Sequence, residues 1–324
     1  MNRRDFSKLL LASAIPFALA TPALADAYPS KPITLVVPYP AGGANDMLGR
    51  LIGQKLAEGL GQQVIVDNKP GAGTLIGASF VAKAPTDGYT LLVGGFASNA
   101  VSPHLFKADY DPVTAFEPFG LFGTAPTILI TYNDSPYKTL KDVIEAAKKK
   151  PGALMYGSSG NGTPLHMSGE MFTRQASVDM IHVPYKGGSA HIMDLIGGRL
   201  DVIFDTSTNS ASLIKGGKVR PIAVSSSERL PDFPDVPTFK ESGYPQFSVN
   251  GWYALYAPAK TPKEITEKLS AELQKVLKLP DVVEKLRGVG VSPASGKADE
   301  LAAFGPTELA KYGELIKTAN IKAD

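Results

Sequence analysis

The chain has 324 residues, 44% of them hydrophobic, with 32 Gly and 26 Pro, which is typical of a globular protein large enough for two compact lobes. Its formal net charge is only +2 and its lysines and arginines are dispersed, which argues against nucleic-acid binding, because that binding needs clustered cations. The absence of cysteine excludes disulfides, thiolate metal sites and cysteine nucleophiles.

The first 25 residues predict an export signal. Arg3, Arg4 and Lys8 precede a mildly apolar run over residues 9–20, and small residues lead up to a cleavage site near Ala25. The cationic part also resembles the twin-arginine motif incompletely, so both export routes stay open. A membrane anchor is disfavoured because the apolar run is short and interrupted by proline. We therefore expect a mature protein in the bacterial periplasm.

Strands and helices alternate in the first part of the mature chain. "ITLVVP", residues 33–38, is a short apolar run typical of a strand buried on both faces of a parallel sheet. An amphipathic helix follows Asn45. The next segments predict a strand, a helix and a third strand, in the order "QQVIVDN", "LIGASFVAKA" and "YTLLVGG". This succession predicts a doubly wound α/β lobe.

A second block of alternating elements begins at Thr127 and continues to "VRPIAVS". A Pro-rich stretch, residues 231–245, then leads to the strand "VNGWYALYAP" and three C-terminal helices. We therefore predict an α/β protein of two lobes, with residues 27–128 and 251–324 in domain 1 and residues 129–250 in domain 2. The chain would cross twice between the lobes, and a ligand cleft would lie beyond the carboxyl ends of the strands.

The loop "PYPAGGAND" after the first strand is a candidate anion site. Gly42 and Gly43 permit close approach to the backbone, and Asn45 or Asp46 is expected to cap the following helix. Free N–H groups in a first helical turn bind carboxylate or phosphate oxygens. The pattern alone is equally compatible with a simple connection, and Asp46 with a purely helix-stabilising role.

The loop "DNKPGAGTLIG" imitates a dinucleotide-binding motif. It fails the G-x-G-x-x-G spacing because Ile76 occupies the last position, and no acid is placed for a ribose. We therefore expect neither NAD nor FAD, and no other cofactor.

The third loop, "YGSSGNGTPLHMSGE", offers hydroxyl and amide groups from Ser158, Ser159, Asn161 and Thr163 before a helix. Such a loop suits hydrogen bonding to an organic anion at a helix N-terminus. It does not match the G-x-S-x-G nucleophile elbow. A secreted serine hydrolase that uses Ser158 or Ser159 therefore stays an alternative of lower rank.

The four histidines are scattered and form no zinc motif, so no metal site is predicted.

The remaining polar loops follow later strands. "VPYKGGSA" contributes Tyr185 and Lys186, and "FDTSTNS" places Asp205 at a strand end. No loop joins a nucleophile to a base, so no catalytic residue is predicted. The recurring strand, polar loop and helix N-terminus favour solute capture over turnover.

Taken together, these loops resemble the signature segments of the tripartite tricarboxylate transporter substrate-binding proteins, the Bug or TctC family. The resemblance runs from about residue 28 to the C-terminus and rests on "VVPYPAGGANDMLGR", "VDNKPGAGTLIGA", "DGYTLL", "GSSGNGTPLHMSGEMF", "VPYKGG", "GGRLDVIFD" and "IKGGKVRPIAVSS". It implies a two-domain periplasmic-binding-protein fold of the Venus flytrap type, type II-like, that delivers small carboxylates to the membrane subunits of a transporter. A monomer is expected.

The resemblance also implies which residues meet the ligand. They are Ala41, Gly42, Gly43 and Asp46 in one lobe and Ser158, Ser159, Gly160, Asn161, Thr163 and His166 in the other. Tyr185, Lys186, Gly187 and Asp205 are expected to be further contacts in the second lobe or neighbours of the contacts.

Two regions depart from the family pattern near the expected cleft. Thr74 and Leu75 replace a more usual Gly and polar residue, and "GFASN" includes Phe96, Ser98 and Asn99. These last three are expected to shape the distal half of the pocket, and the ring of Phe96 is compatible with an aromatic or longer aliphatic acid; an alternative places Phe96 in the core. A receptor that presents its ligand to a membrane sensor stays a further alternative.

Overall fold

The computed structural model describes residues 28–185 and 189–322, without the side chain of Thr208. The predicted export signal therefore lies outside the described residues, as do Lys186 and Gly187 of the predicted site.

Strands and helices alternate along most of the chain. The strands are β1 (Ile33–Val37), β2 (Val64–Asn68), β3 (Thr90–Gly95), β4 (Phe116–Tyr132), β5 (Met155–Ser158), β6 (Ile181–Pro184), β7 (Val202–Thr206), β8 (Val219–Val224), β9 (Asn250–Pro258) and β10 (Ser292–Pro293). The α-helices are α1 (Ala44–Leu60), α2 (Leu75–Ala82), α3 (Ser102–Leu105), α4 (Leu140–Lys149), α5 (Pro164–Ala176), α6 (Ala190–Ile196), α7 (Ser207–Lys215), α8 (Lys263–Val276), α9 (Pro280–Gly288) and α10 (Ala298–Ala319). A 3₁₀ turn, Ala72–Thr74, precedes α2, and a π-helix, Phe96–Val101, follows β3.

The strands form a path in the order β2-β1-β3-β9-β4-β7-β5-β6, with β8 and β10 also paired to β4. The pairs β1 with β2 and β3, and β5 with β6 and β7, are parallel, as the alternation of strands and helices predicts. All pairings of β4 and β9 are antiparallel, which the sequence pattern did not predict. The strand expected at the start of the second block, from Thr127, is longer than its pattern predicts, because β4 begins at Phe116.

Strand β4 belongs to both halves of this path. Residues 116–126 pair with β9, whereas residues 127–132 pair with β7 and β8. The partner thus changes between Pro126 and Thr127, and the first residue of β9, Asn250, pairs with Pro126 at the same place. The domain boundaries predicted at 128/129 and 250/251 lie close to this point and stay a prediction.

Buried hydroxyl groups hold the chain together where β4 changes partners. The hydroxyl of Thr127 lies 2.9 Å from the Ser168 hydroxyl and donates to the Val249 carbonyl at 3.1 Å. The Thr127 N–H donates to the Ser225 hydroxyl, which donates in turn to the Asn250 side chain at 2.7 Å. Both crossing segments are therefore bonded to the same small group of polar atoms.

Helices cover the sheet with apolar faces. In α1 the periodic residues Leu48, Ile52 and Leu56 are buried and pack in one cluster with β1, as their spacing predicts. Helix α5 packs its own glycine against β5: a Cβ built at Gly169 would lie 2.0 Å from a ring carbon of Tyr156. This close approach fixes the position of α5, whose N-terminal end faces the cleft described below.

Replacing Gly169 with alanine is expected to lower the free energy of unfolding by about 1–3 kcal/mol, the usual cost of overpacking a core. Denaturation in urea measures the change. Gly288→Ala is the matched control, because that helical glycine is exposed and has open space around its Cβ position. Equal stabilities of the two variants would contradict the assigned packing.

Candidate functional site

Segments that follow strands of both halves of the sheet surround a cavity of about 1020 Å³. The wall from the β1–β3 and β9 side consists of Pro38, Tyr39, Pro40, Ala44, Asn45, Pro70, Gly71, Gly73, Thr74, Phe96, Ala97, Ser102, Leu105, Phe106, Gly251, Trp252 and Tyr253. The facing wall consists of Ser159, Asn161, Gly162, Thr163, Pro164, Leu165, Ser189, His191, Thr206 and Asn209. None of these residues is Lys, Arg, Asp or Glu, so the described lining is uncharged.

Four of the residues predicted to meet a ligand line this cavity: Phe96, Ser159, Asn161 and Thr163. The segment Ala41, Gly42 and Gly43 is an exposed turn between the lining residues Pro40 and Ala44. The other described members of the predicted set are placed behind the lining, as detailed below. Direct ligand contact stays a prediction for the whole set.

Asp46 is buried beneath the first loop and holds it in shape. Its carboxylate accepts hydrogen bonds from the Gly42 N–H at 2.9 Å, the Arg50 side chain at 3.0 Å and the Asn68 amide at 2.9 Å. The Asn68 amide also donates to the Tyr39 carbonyl. The bond from Arg50, followed by that from Gly42, lowers the pKa of Asp46 to about 2. Because these three donors surround it, the Asp46 carboxylate faces the loop. Asp46 is not among the residues that line the cavity.

The capping residue of α1 differs from the expectation. Asn45 or Asp46 was predicted to cap the helix, but the N-cap is Gly43, in an extended conformation and without a side-chain cap. Gly42 has a φ of +84°, a conformation that glycine adopts without strain. The turn therefore presents backbone rather than side chains at the start of α1.

The loop after β5 is supported from behind by Ser158. This serine is 0% exposed; its Oγ lies 2.7 Å from His182 Nε2 and accepts a hydrogen bond from the Gly160 N–H. Thr163 caps α5, and its hydroxyl also donates to the Gly160 carbonyl at 2.7 Å. A serine and a histidine this close resemble a nucleophile with its base, but a fully buried Ser158 offers no access to an ester carbonyl.

His166 stabilises the same loop as a neutral ring. Its Nδ1 accepts from the Gly162 N–H at 3.1 Å, and its ring stacks on His182 with the centroids 4.0 Å apart. Burial, aided by the adjacent His182, lowers the pKa of His166 to about 3. The imidazole therefore carries no charge near neutral pH and serves the loop as a hydrogen-bond acceptor.

Ser98 and Asn99 were predicted to shape the distal pocket, but the structure places both in the interior. Each side chain accepts a hydrogen bond from the N–H of Gly95 and so anchors the start of the π-helix. Phe96 lines the cavity while the edge of its ring packs on Tyr312, with the centroids 4.8 Å apart. Phe96 thus belongs both to the wall and to the core, the two alternatives that the sequence left open.

Asp205 is also buried behind the second wall. It accepts hydrogen bonds from the side chains of Ser210 at 2.7 Å and Asn209 at 3.4 Å, while its neighbour Thr206 lines the cavity. Tyr185 is half-buried and donates to Asp194 rather than lining the cavity.

Sequence reasoning missed most of the aromatic lining. Tyr39, Phe106, Trp252 and Tyr253 line the cavity, as does Leu105. Trp252 and Tyr253 lie in the predicted strand "VNGWYALYAP", directly after the second crossing. Their position next to that crossing is the feature of the sequence that could have indicated that they face the cleft. The antiparallel insertion of β9 beside β3 brings them there.

Two helix N-termini meet this uncharged cavity. Ala44 and Asn45 belong to the first turn of α1, while Thr163, Pro164 and Leu165 form the start of α5. The unpaired N–H groups and the partial positive charge of a helix N-terminus favour an anion. Within residues 28–185 and 189–322, no group of three or more His, Asp or Glu has the arrangement of a metal site.

Comparison with known proteins identifies the family. Residues 48–321 match the model of the "Tripartite tricarboxylate transporter family receptor". The chain belongs to this family of periplasmic solute-binding proteins.

Relatives agree over nearly the whole chain. The UPF0065 protein in the tcbD-tcbE intergenic region of Pseudomonas sp. (strain P51) is 38% identical, over 92% of this chain and 89% of its own length. The periplasmic binding protein BugD is 35% identical, with a TM-score of 0.73 over 92% of this chain and 100% of its own. Rpa4515 of R. palustris, solved with adipate, is 34% identical, with a TM-score of 0.76 over 91% and 99%.

These similarities confirm the predicted two-lobed periplasmic-binding-protein fold and the predicted family. No helix in the described part of the chain has the length and apolar character needed to cross a membrane.

Replacing Asp46 with asparagine is expected to lower the free energy of unfolding at pH 7 by about 1.5–3 kcal/mol, the range for hydrogen bonds to a charged group. The folded-state pKa of about 2 lies below the unfolded value of about 3.9. The stabilisation is therefore complete above about pH 4 and is lost as the pH falls through about 2. Urea denaturation at pH 7 and pH 3 should show a smaller difference from wild type at pH 3.

Asp281→Asn is the control for this experiment, because its carboxylate, which pairs with Lys55, is 49% exposed. We expect it to change stability by less than about 1 kcal/mol. A pH-independent effect of Asp46→Asn would argue against an ionised, hydrogen-bonded Asp46.

Proposed function

We propose that this protein captures a small organic carboxylate in the cleft and delivers it to the membrane subunits of a tripartite tricarboxylate transporter. The observation that carries the proposal is the convergence of the N-termini of α1 and α5 on one uncharged cavity. Adipate bound to the relative Rpa4515 supports the same class of ligand.

The anion is held by backbone N–H groups and short polar side chains. The first turn of α1, which follows Gly43 and lines the cavity at Ala44 and Asn45, offers backbone N–H groups from the first wall, and Ser159, Asn161 and Thr163 offer polar groups from the second. The Gly42 N–H is bonded to Asp46 and is not among these groups. Each hydrogen bond to a charged group contributes about 1.5–3 kcal/mol, so several must act together. A site built in this way, without an obligatory arginine, accepts several mono- or dicarboxylates.

Ligand capture involves closure of the two walls. The crossing segments at Thr127 and Asn250 are the places where rotation between the predicted domains would occur. Because α1 and α5 lie on opposite walls, only a closed cleft brings both helix N-termini to one anion. The ligand then binds the closed state better, as any driven closure requires.

The protein acts in the periplasm as a monomer after removal of the export signal near Ala25, and it is not an enzyme. The burial of Ser158 speaks against a hydrolase that uses this serine. The form of that alternative that uses Ser159, which lines the cavity, predicts ester turnover that Ser159→Ala abolishes. In the remaining alternative, the protein presents its bound ligand to a membrane sensor instead of a transporter. Identifying the membrane protein that this chain captures from solubilised membranes would distinguish the two.

A panel of mono- and dicarboxylates, aromatic acids included, is expected to contain ligands that raise Tm. At a concentration of 100 Kd a ligand stabilises the folded state by about 2.7 kcal/mol, which corresponds to a rise of several degrees. Thermal-shift screening followed by calorimetry measures the effect, with sugars and amines as controls. Stabilisation by the controls and by no organic acid would refute the proposal.

Replacing Gly43 with valine is expected to weaken carboxylate binding at least tenfold and to leave the fold intact. The backbone at Gly43 is extended, with φ −82°, and a Cβ there would meet only the Pro40 carbonyl, at 3.7 Å, so the side chain fits but covers the anion-facing N–H groups. Gly288→Val, on an exposed surface, is the matched control. Unchanged affinity in Gly43→Val would make this turn a simple connection.

A further inference from the structure

Thr74 occupies an unusual position in the wall of the cleft. It ends the 3₁₀ turn before α2, lines the cavity and is only 6% exposed. Its φ of +86° lies in the left-handed region. A β-branched residue is a genuine outlier there, because its branched Cβ crowds the backbone. Such strain persists only where the surrounding structure imposes it, and it is concentrated at ligand sites.

The turn itself needs only the backbone of Thr74. The Thr74 N–H donates to the Gly71 carbonyl at 3.0 Å, which closes the turn without the side chain. The adjacent Gly73 lies tightly against Phe106 and Ser102, since a Cβ there would come within 2.6 Å of the Phe106 ring. Packing thus fixes the turn and directs the position of the Thr74 side chain.

The hydroxyl of Thr74 is buried and has no hydrogen-bond partner in the protein. An unsatisfied buried hydroxyl is destabilising, and native structures rarely retain one without a reason. Backbone strain and an unpaired hydroxyl therefore coincide at Thr74. A hydrogen bond to a bound ligand would account for the unpaired hydroxyl.

The facing wall carries a matching group. His191, on α6, lines the same cavity, is 1% exposed, and has no hydrogen-bond partner at either ring nitrogen. The nearest acid is Asp205, whose Oδ1 lies 3.6 Å from Nε2, beyond hydrogen-bond distance. Two buried polar groups on opposite walls thus have unused hydrogen-bonding capacity.

We propose that Thr74 and His191 are specificity-determining residues that hydrogen-bond an uncharged polar substituent of the carboxylate ligand. A hydroxyl group is the simplest such substituent, since it both donates and accepts and can therefore pair with the Thr74 hydroxyl and with a ring nitrogen of His191. The described lining includes no lysine or arginine to offset a second buried carboxylate. The remaining space is bounded by rings, which suits an apolar body between the two polar ends. This assignment rests on the proposed function.

Calorimetry with matched acids tests the assignment. The probes are benzoate against 3- and 4-hydroxybenzoate, and hexanoate against 6-hydroxyhexanoate and adipate. Wild type is expected to bind at least one hydroxylated acid about 5- to 30-fold more tightly than its unsubstituted partner, the range for one or two hydrogen bonds. Thr74→Val should abolish most of that preference and change the affinity for the unsubstituted acid less than about twofold, whereas Thr74→Ser should retain it.

Three further variants complete the design. Thr131→Val removes another buried threonine hydroxyl, one on β4 outside the cavity lining, and should leave the preference unchanged. His191→Phe keeps a ring but loses both nitrogens and should also reduce the preference. Thr74→Gly removes the strain and the unpaired hydroxyl, so its Tm should equal or exceed that of wild type while its preference is lost.

The outcomes separate this assignment from the proposed function. If carboxylates bind and Thr74→Val weakens hydroxylated and unsubstituted acids equally, or weakens neither, the assignment is overturned alone. If adipate binds more tightly than 6-hydroxyhexanoate and this difference depends on Thr74, the inference that the substituent is uncharged is overturned. Binding of no carboxylate by wild type overturns the proposed function together with this assignment.

Discussion

The antiparallel pair of β4 and β9 is the constraint on which the rest of the molecule depends. Strand β4 is 17 residues long and exchanges β9 for β7 and β8 at Thr127. A single continuous strand therefore joins the two halves of the sheet. The buried bonds from Thr127 to Val249 and Ser225 connect the outgoing and returning segments. The two walls of the cleft are consequently joined by two short crossing segments that are bonded to each other, rather than by a long flexible linker.

Polar groups around the cleft are arranged in two layers with different tasks. The inner layer consists of backbone and uncharged side chains such as Ser159 and Thr163. Behind it, Asp46 and Ser158 accept hydrogen bonds from the loops themselves, and Asp205 accepts them from side chains of α7. Ionised carboxylates near an anion site would repel the ligand. Asp46 instead uses its charge on Gly42 and Arg50, which fixes the loop geometry and leaves the cavity surface neutral.

The sequence predicted the parts of the fold that depend on local pattern. The buried run of β1, the apolar spacing in α1 and the polar loops before α1 and α5 were readable because each is encoded within about twenty residues. The family resemblance selected loops that do surround the cavity. The antiparallel place of β9 beside β3 was not readable, since it is set by pairing between residues far apart in the chain. For the same reason Trp252 and Tyr253 were absent from the predicted site.

Side-chain direction was a second limit. Ser158 and Ser159 are adjacent in a polar loop, and only the structure shows that Ser158 points to His182 while Ser159 lines the cavity. From the sequence, Ser98 and Asn99 were expected to shape the pocket, yet the side chains of both accept a hydrogen bond from the N–H of Gly95. The position of Thr74 near the cleft was readable, whereas its left-handed backbone and unpaired hydroxyl were not.

The interleaving of early and late segments has a consequence for biosynthesis. Strand β9 lies between β3 and β4, and Tyr312 of α10 packs behind Phe96. The Lys311 ammonium donates to the Ser248 carbonyl, beside the returning crossing. The first wall of the cleft therefore lacks its central strand until residue 258 has been made and lacks its support until α10 has been made. A nascent chain has no complete cleft, so ligand capture begins only once the whole polypeptide has been made.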